Sequence, residues 1–83
     1  MNEELKMPHV IIKMYTGRSE SQKQALTTAV VDNLVKITGC KERSVSVAIE
    51  EFDPQEWAEK VYKPDIIGNT KHLIKKPGYN LFK

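Results

Sequence analysis

The chemistry this chain could carry starts at Met7-Pro8, which opens an apolar run and is followed nine residues later by Gly17-Arg18-Ser19. Inside a chain, the Pro8 nitrogen belongs to an amide and has no useful basicity. At a chain terminus it is a secondary amine. An α-amino group titrates at about 7.7 to 8.0, and a desolvated cationic pocket lowers that value further, which suits a general base working at neutral pH. Proline is small enough to permit removal of a preceding initiator methionine, so a Met-Pro start is a simple route to such an amine. A proline that opens a strand also has a plainly structural reading, because the first strand position needs no ladder donor.

The surrounding elements follow from periodicity and caps. From Pro8 to Tyr15, the residues Val10, Ile12 and Met14 alternate with His9, Ile11, Lys13 and Tyr15, the period of two expected of a strand. Ser19 and Gln22 make a capping box, and Leu26, Ala29, Val30, Leu34 and Ile37 share one stripe, which predicts a helix over 20–38. Gly39 stands where a helix-ending glycine of positive φ belongs, and a turn through Cys40 to Arg43 follows. Ser44 to Glu51 alternates again and predicts a second strand. Strand, crossover helix and strand make a βαβ unit with parallel strands and a right-handed connection. Asp53-Pro54-Gln55-Glu56 reads as an N-cap, a first-turn proline and a capping-box glutamate, opening a short helix through Trp57 to Tyr62 that Pro64 ends. A less regular helix is expected over 65–75, then a turn at Pro77-Gly78 and a tail from Tyr79 to Lys83.

The fold class is therefore α/β in its βαβ unit and α+β with its short C-terminal helices, in one domain over 8–83 behind a leader at 1–7. A chain of 83 residues is marginal as a lone protomer, and two strands leave open edges. A second copy would complete a four-stranded sheet covered by two helices, so a homodimer is expected. The single Cys40 can form no internal disulfide and has no metal-site spacing, which fits a reducing compartment. No stretch approaches the roughly 18 apolar residues of a membrane span, and Asn2 to Lys6 is too short and polar for a signal peptide, so a cytoplasmic protein is expected. A net charge of +2 makes no case for nucleic acid, and Lys71, His72, Lys75 and Lys76 read as a solvated helix face.

From Pro8 onward the chain resembles the 4-oxalocrotonate tautomerase superfamily, and most closely its longer, dimeric PptA-type branch. The resemblance lies in the spacing from Pro8 to Gly17-Arg18-Ser19, in Ser44-Val45-Ser46-Val47, in Pro54-Gln55-Glu56-Trp57 and in Leu73-Ile74-Lys75-Lys76-Pro77-Gly78-Tyr79. It implies a keto–enol tautomerase for a small, aromatic or unsaturated 2-oxo acid, with Pro8 as the base and neither a metal nor an organic cofactor. It also implies that Arg18 holds the substrate carboxylate through its forked guanidinium. Ser46 stands where hexameric relatives place a second arginine, and offers one neutral hydrogen bond, roughly half the strength of a charged one. Trp57 falls at the family's aromatic wall beside the proline, where it would hold an aromatic substrate and desolvate the amine. Each has a plainer reading: a solvated arginine, a strand serine, a core anchor for the short helix. His9 should point away from Pro8 and take a structural or solvent role. Lys13 and Arg43 could add positive field, and Tyr62 and Tyr79 could line either the site or the dimer contact.

The leader decides whether this chemistry is open to the protein. A start at Met1 that is never trimmed leaves Pro8 acylated. Glu3-Glu4 can be encoded by a purine run of the kind bacterial ribosomes pair with, which would place the true start at Met7. The rival reading is a non-catalytic dimeric binding module of the same fold. A hydratase or dehalogenase of the same superfamily would use Pro8 as well.

Overall fold

A computed structural model of the chain describes residues 6–82. The leader expected at 1–7 therefore lies outside the described residues except for Lys6 and Met7. Strand β1 (His9–Tyr15) runs parallel to β2 (Ser46–Phe52), in register from His9 opposite Ser46 to Tyr15 opposite Phe52. Helix α1 (Glu20–Thr38) makes the crossover. Its ends fall where the sequence puts them because both caps are made. Ser19 Oγ accepts the Gln22 N–H at 3.1 Å, Gln22 Oε1 accepts the Ser19 N–H at 3.0 Å, and Gly39, at φ 78°, donates its N–H to Val35 O at 3.0 Å.

β2 starts later than its alternation suggests. Glu42–Ser44 close a turn of 3₁₀ helix in which Ser44 donates both its N–H, at 3.0 Å, and its hydroxyl, at 2.8 Å, to Lys41 O. Those bonds compete with the ladder, which begins where Ser46 N–H reaches Pro8 O at 3.2 Å.

The region after β2 departs further. Helix α2 (Pro54–Trp57) opens with the expected box, Glu56 Oε1 accepting the Asp53 N–H at 3.0 Å. It does not stop at Pro64. The chain continues as a π-helix (Ala58–Ile66) with Pro64 inside it. In an α-helix the proline ring would collide with the carbonyl four residues back, and a wider winding relieves that collision. The helix expected over 65–75 is absent: one 3₁₀ turn (Ile67–Asn69) follows, then irregular chain. Gly68 is required there, because a Cβ would lie 2.7 Å from Lys63 O. Lys71, His72, Lys75 and Lys76 consequently share no helix face.

Register and pleat place Val10, Ile12, Val47 and Ile49 on one face of the sheet and His9, Ile11, Lys13, Tyr15, Ser46 and Phe52 on the other. α1 covers the first face, where Lys23 pairs with Glu51 at 3.1 Å and Thr27 shares a cleft with Val47 and Ile49. α2 and the π-helix cover the C-terminal half of the second face, through Trp57 and Asp65. The core of one protomer is small. Among the described residues, the buried hydrophobic side chains are Cys40, Val61 and Tyr62, at 2%, 3% and 4% exposure, and none belongs to α1. Leu26, Val30, Leu34 and Ile37 instead border an open groove of about 420 Å³ lined by α1 alone. No helix among the described residues is long and apolar enough to cross a membrane.

Candidate active site

Pro8 stands half-buried at the head of β1, its carbonyl accepting the Ser46 N–H at 3.2 Å. Ser46 Oγ lies 2.6 Å from His9 Nδ1, so the hydroxyl that the second strand presents is already engaged. The tautomer decides what remains. If His9 Nδ1 carries its proton, Ser46 accepts and keeps its own O–H for another partner; if not, Ser46 donates and has nothing left to give. Lys6 and Met7, at φ 53° and 50°, occupy the left-handed region, which costs about 1–2 kcal/mol per residue for side chains with a Cβ. Met7 is 65% exposed, and Lys6 and Met7 lead into Pro8 through strained backbone.

The other candidates sit at the opposite end of the strands. Thr16 N–H donates to Phe52 O at 3.0 Å and Thr16 Oγ1 donates to Asp53 Oδ1 at 3.4 Å, which sets the Gly17-Arg18-Ser19 turn beside the start of α2. Arg18 is exposed, and among the described residues its guanidinium has no ion pair or hydrogen bond. Trp57 meets the Tyr15 and Phe52 rings edge-on, at centroid distances of 5.3 and 6.3 Å, and its indole N–H donates to the Tyr79 hydroxyl at 3.0 Å.

The Tyr15, Trp57 and Tyr79 rings wall a cavity of about 420 Å³ that Lys13, Met14 and Leu81 also line. That volume suits a small aromatic molecule. The Lys13 ammonium lies 2.5 Å from Asp65 and 4.0 Å from Glu50. Its hydrogen bond to Asp65 raises its pKa above the ordinary lysine value despite some loss of hydration, so it is a cation at neutral pH.

One protomer brings the candidates together in two pairs rather than as one set. Pro8 and Ser46 share the N-terminal end of the sheet, and Arg18 and Trp57 share the C-terminal end. At about 3.3 Å per residue, the strand between them is roughly 20 Å long. Sequence reasoning missed the bond between His9 and Ser46, although counting both strands from their first paired valines, Val10 and Val47, would have placed those two opposite each other. It left Tyr79 undecided because no periodicity extends through the tail. The Lys13–Asp65 pair was invisible for the same reason, Asp65 having been assigned to a helix that does not form.

The chain is similar to known proteins over most of its length. A family model described as tautomerase enzyme matches residues 8–61. A protein of Xylella fastidiosa named "Probable tautomerase" is 40% identical over 73 residues, spanning 88% of this chain and 89% of the relative. Tautomerase PptA of Cronobacter sakazakii is 37% identical over 76 residues, spanning 90% of this chain and all 100% of the relative. Among solved structures, a candidate 4-oxalocrotonate tautomerase from methicillin-resistant Staphylococcus aureus superposes with a TM-score of 0.57 at 40% identity, over 58% of this chain and 77% of that one. With its parallel βαβ unit and a match running from Pro8 through Val61, the chain belongs to the tautomerase enzymes, a family of isomerases, in the PptA-type branch of the 4-oxalocrotonate tautomerase superfamily.

Proposed function

We propose that this protein is a keto–enol tautomerase for a small aromatic 2-oxo acid, working as a homodimer with Pro8 as its free amino terminus. The observation that carries the reading is the division of the candidate residues between the two ends of a parallel sheet whose outer edges are open among the described residues. A two-fold axis perpendicular to the strands pairs an outer strand antiparallel with its copy. The Pro8 end of one protomer then meets the Arg18 and Trp57 end of the other, and the four-stranded sheet that results closes the edge as well. Each half-site is incomplete without the partner.

In that setting Arg18 takes the substrate carboxylate and the rings around Trp57 take the aromatic group. The Pro8 amine accepts the proton of the enol hydroxyl, and the resulting ammonium returns it to the carbon two atoms away, leaving the ketone. Ser46 contributes one neutral hydrogen bond when His9 supplies the proton between them. The shuttle moves a single proton and needs neither a metal nor an organic cofactor. The half-buried position of Pro8 and its anchored carbonyl support its role, since a base must be held still and partly desolvated.

A second reading has its own observation: in this chain Met7 precedes Pro8, and an acylated nitrogen is no base. A dimeric binding module of the same fold would keep the Trp57 pocket without turnover. The experiment that separates the two starts with the intact mass of protein from its native host. Protein beginning at Pro8 should ketonise phenylenolpyruvate, and its Pro8→Ala counterpart should not. Equal rates for the two would remove Pro8 as the base.

A further inference from the structure

We propose that Tyr79, carried by the C-terminal strap, donates the hydrogen bond to the 2-oxygen of a substrate lodged against Trp57, a role for which the second strand offers only Ser46. The inference rests on the tautomerase reading above and adds a substrate contact to it.

The Tyr79 oxygen already accepts the Trp57 indole N–H at 3.0 Å, and among the described residues no acceptor takes its own proton. A hydroxyl that accepts one hydrogen bond is polarised into a better donor. That proton sits at the wall of the Trp57 cavity, where Tyr15, Met14 and Leu81 supply apolar surface. Tyr15, Tyr79 and Leu81 keep 44%, 44% and 46% of their surface exposed in one protomer, so a hydrogen bond to a developing oxyanion counts for more than it does in water once the proposed partner covers this wall.

The strap also holds the group in place before any ligand arrives. The Tyr79 ring leans on Tyr62 at 5.5 Å, and Phe82 meets the same Tyr62 edge-on at 5.3 Å. Asn80 Oδ1 accepts from the Tyr62 hydroxyl at 3.4 Å and from Phe82 N–H at 3.0 Å. A donor fixed in advance need not be ordered during the reaction.

The other polar groups are less free. Lys13 is held by Asp65, Arg18 is the group suited to the carboxylate, and Ser46, which a two-fold partner would bring up, has a hydrogen bond to give only in the tautomer where His9 Nδ1 carries the proton. Tyr79 is the uncharged donor beside the aromatic wall.

The test uses the full chain and two probes that differ at the 2-oxygen, phenylpyruvate and 3-phenylpropionate. Their affinities are measured by titration calorimetry, and Trp57, the single tryptophan, reports by its emission whether they bind at this site. One neutral hydrogen bond predicts a preference for phenylpyruvate of roughly threefold to tenfold. Tyr79→Phe keeps the ring and its contact with Tyr62, so it should abolish the preference while leaving 3-phenylpropionate binding unchanged. A preference that survives in Tyr79→Phe overturns the proposal. So does an equal loss for both probes, which would make Tyr79 a clasp only, and so does an absence of any Trp57 response in the unaltered protein. If ketonisation requires Pro8 while the preference survives in Tyr79→Phe, only this inference fails. If Tyr79→Phe removes the preference but Pro8→Ala changes no rate, the Tyr79 contact stands and the proline mechanism falls.

Discussion

Replacing Ile37 with glutamate tests the proposed dimer, in which pairing the outer strands would set the two α1 helices side by side on one face of the four-stranded sheet. Ile37 keeps 78% of its surface exposed in one protomer, on the same α1 stripe as Leu26, Val30 and Leu34. Burying a side chain of this kind completely is worth about 1.5–3 kcal/mol, so covering the exposed fraction with a partner helix contributes about 1–2.5 kcal/mol per copy. A two-fold interface uses each patch twice, which makes about 2–5 kcal/mol per dimer. Each tenfold change in affinity corresponds to about 1.4 kcal/mol, so Ile37→Glu should raise the dimer dissociation constant by roughly 30- to 4,000-fold. Bringing two like charges together pushes the effect toward the upper end. Sedimentation velocity from nanomolar to high micromolar protein measures it, with Lys36→Ala on the neighbouring exposed position as the control and circular dichroism to show that α1 is intact. Turnover by protein beginning at Pro8 should fall over the same concentration range in which the dimer dissociates. An unchanged dissociation constant in Ile37→Glu, with the helix intact, would refute the argument that this stripe faces a second copy.

Other outcomes follow from local geometry. Asp53→Ala removes the α2 N-cap and the acceptor for Thr16 Oγ1, and should destabilise the fold by about 1 kcal/mol, read as a lower urea midpoint with an unchanged slope. Gly68→Ala places a Cβ 2.7 Å from Lys63 O, against backbone that cannot swing aside, and should cost about 1–3 kcal/mol by the same assay. Lys13 has a raised pKa in the folded state, chiefly through its hydrogen bond to Asp65. Its stabilisation is therefore complete below the ordinary lysine value and is lost as pH climbs through the folded value, so Lys13→Met should flatten the alkaline limb of stability against pH. An alkaline limb that keeps its shape in Lys13→Met would remove that ion pair as its cause.

The parts of the fold that were legible in the sequence are those specified by local rules. α1 announced both ends, because Ser19, Gln22 and Gly39 are caps whose bonds involve neighbours three or four residues away. The parallel pairing followed from one crossover helix between two alternating runs. The start of β2 was less legible, since the alternation continues through Ser44 and Val45 while the backbone there turns to bond Lys41 and Glu42. The C-terminal third was misread for a different reason. Pro64 is a helix terminator only for the α winding, and the sequence carries no sign that the chain will widen around it. Once it does, Asp65 comes round to Lys13 on β1, and the tail returns over Tyr62 and Trp57, all contacts of long sequence separation that no window of neighbouring residues contains.

That same widening bears on the chemistry. Ser46, at the N-terminal end of the sheet, carries no charge, and its hydroxyl shares a hydrogen bond with His9. At the C-terminal end, the π-helix brings Asp65 to Lys13 of β1, and the strap brings to the aromatic wall a phenol whose proton has no acceptor among the described residues. A two-fold partner would bring the proline of one end against the donors of the other. Polar recognition in this protein would then come from the segment beyond the βαβ unit. Changes to the strap at Tyr79, Asn80 and Phe82 should accordingly alter which 2-oxo acids are accepted, while changes around Pro8 should alter whether any are turned over. Substrate profiling of Asn80→Ala, which removes the acceptor shared by the Tyr62 hydroxyl and Phe82 N–H, puts that division to the test. A uniform fall in rate across all substrates, with no change in their order, would contradict it.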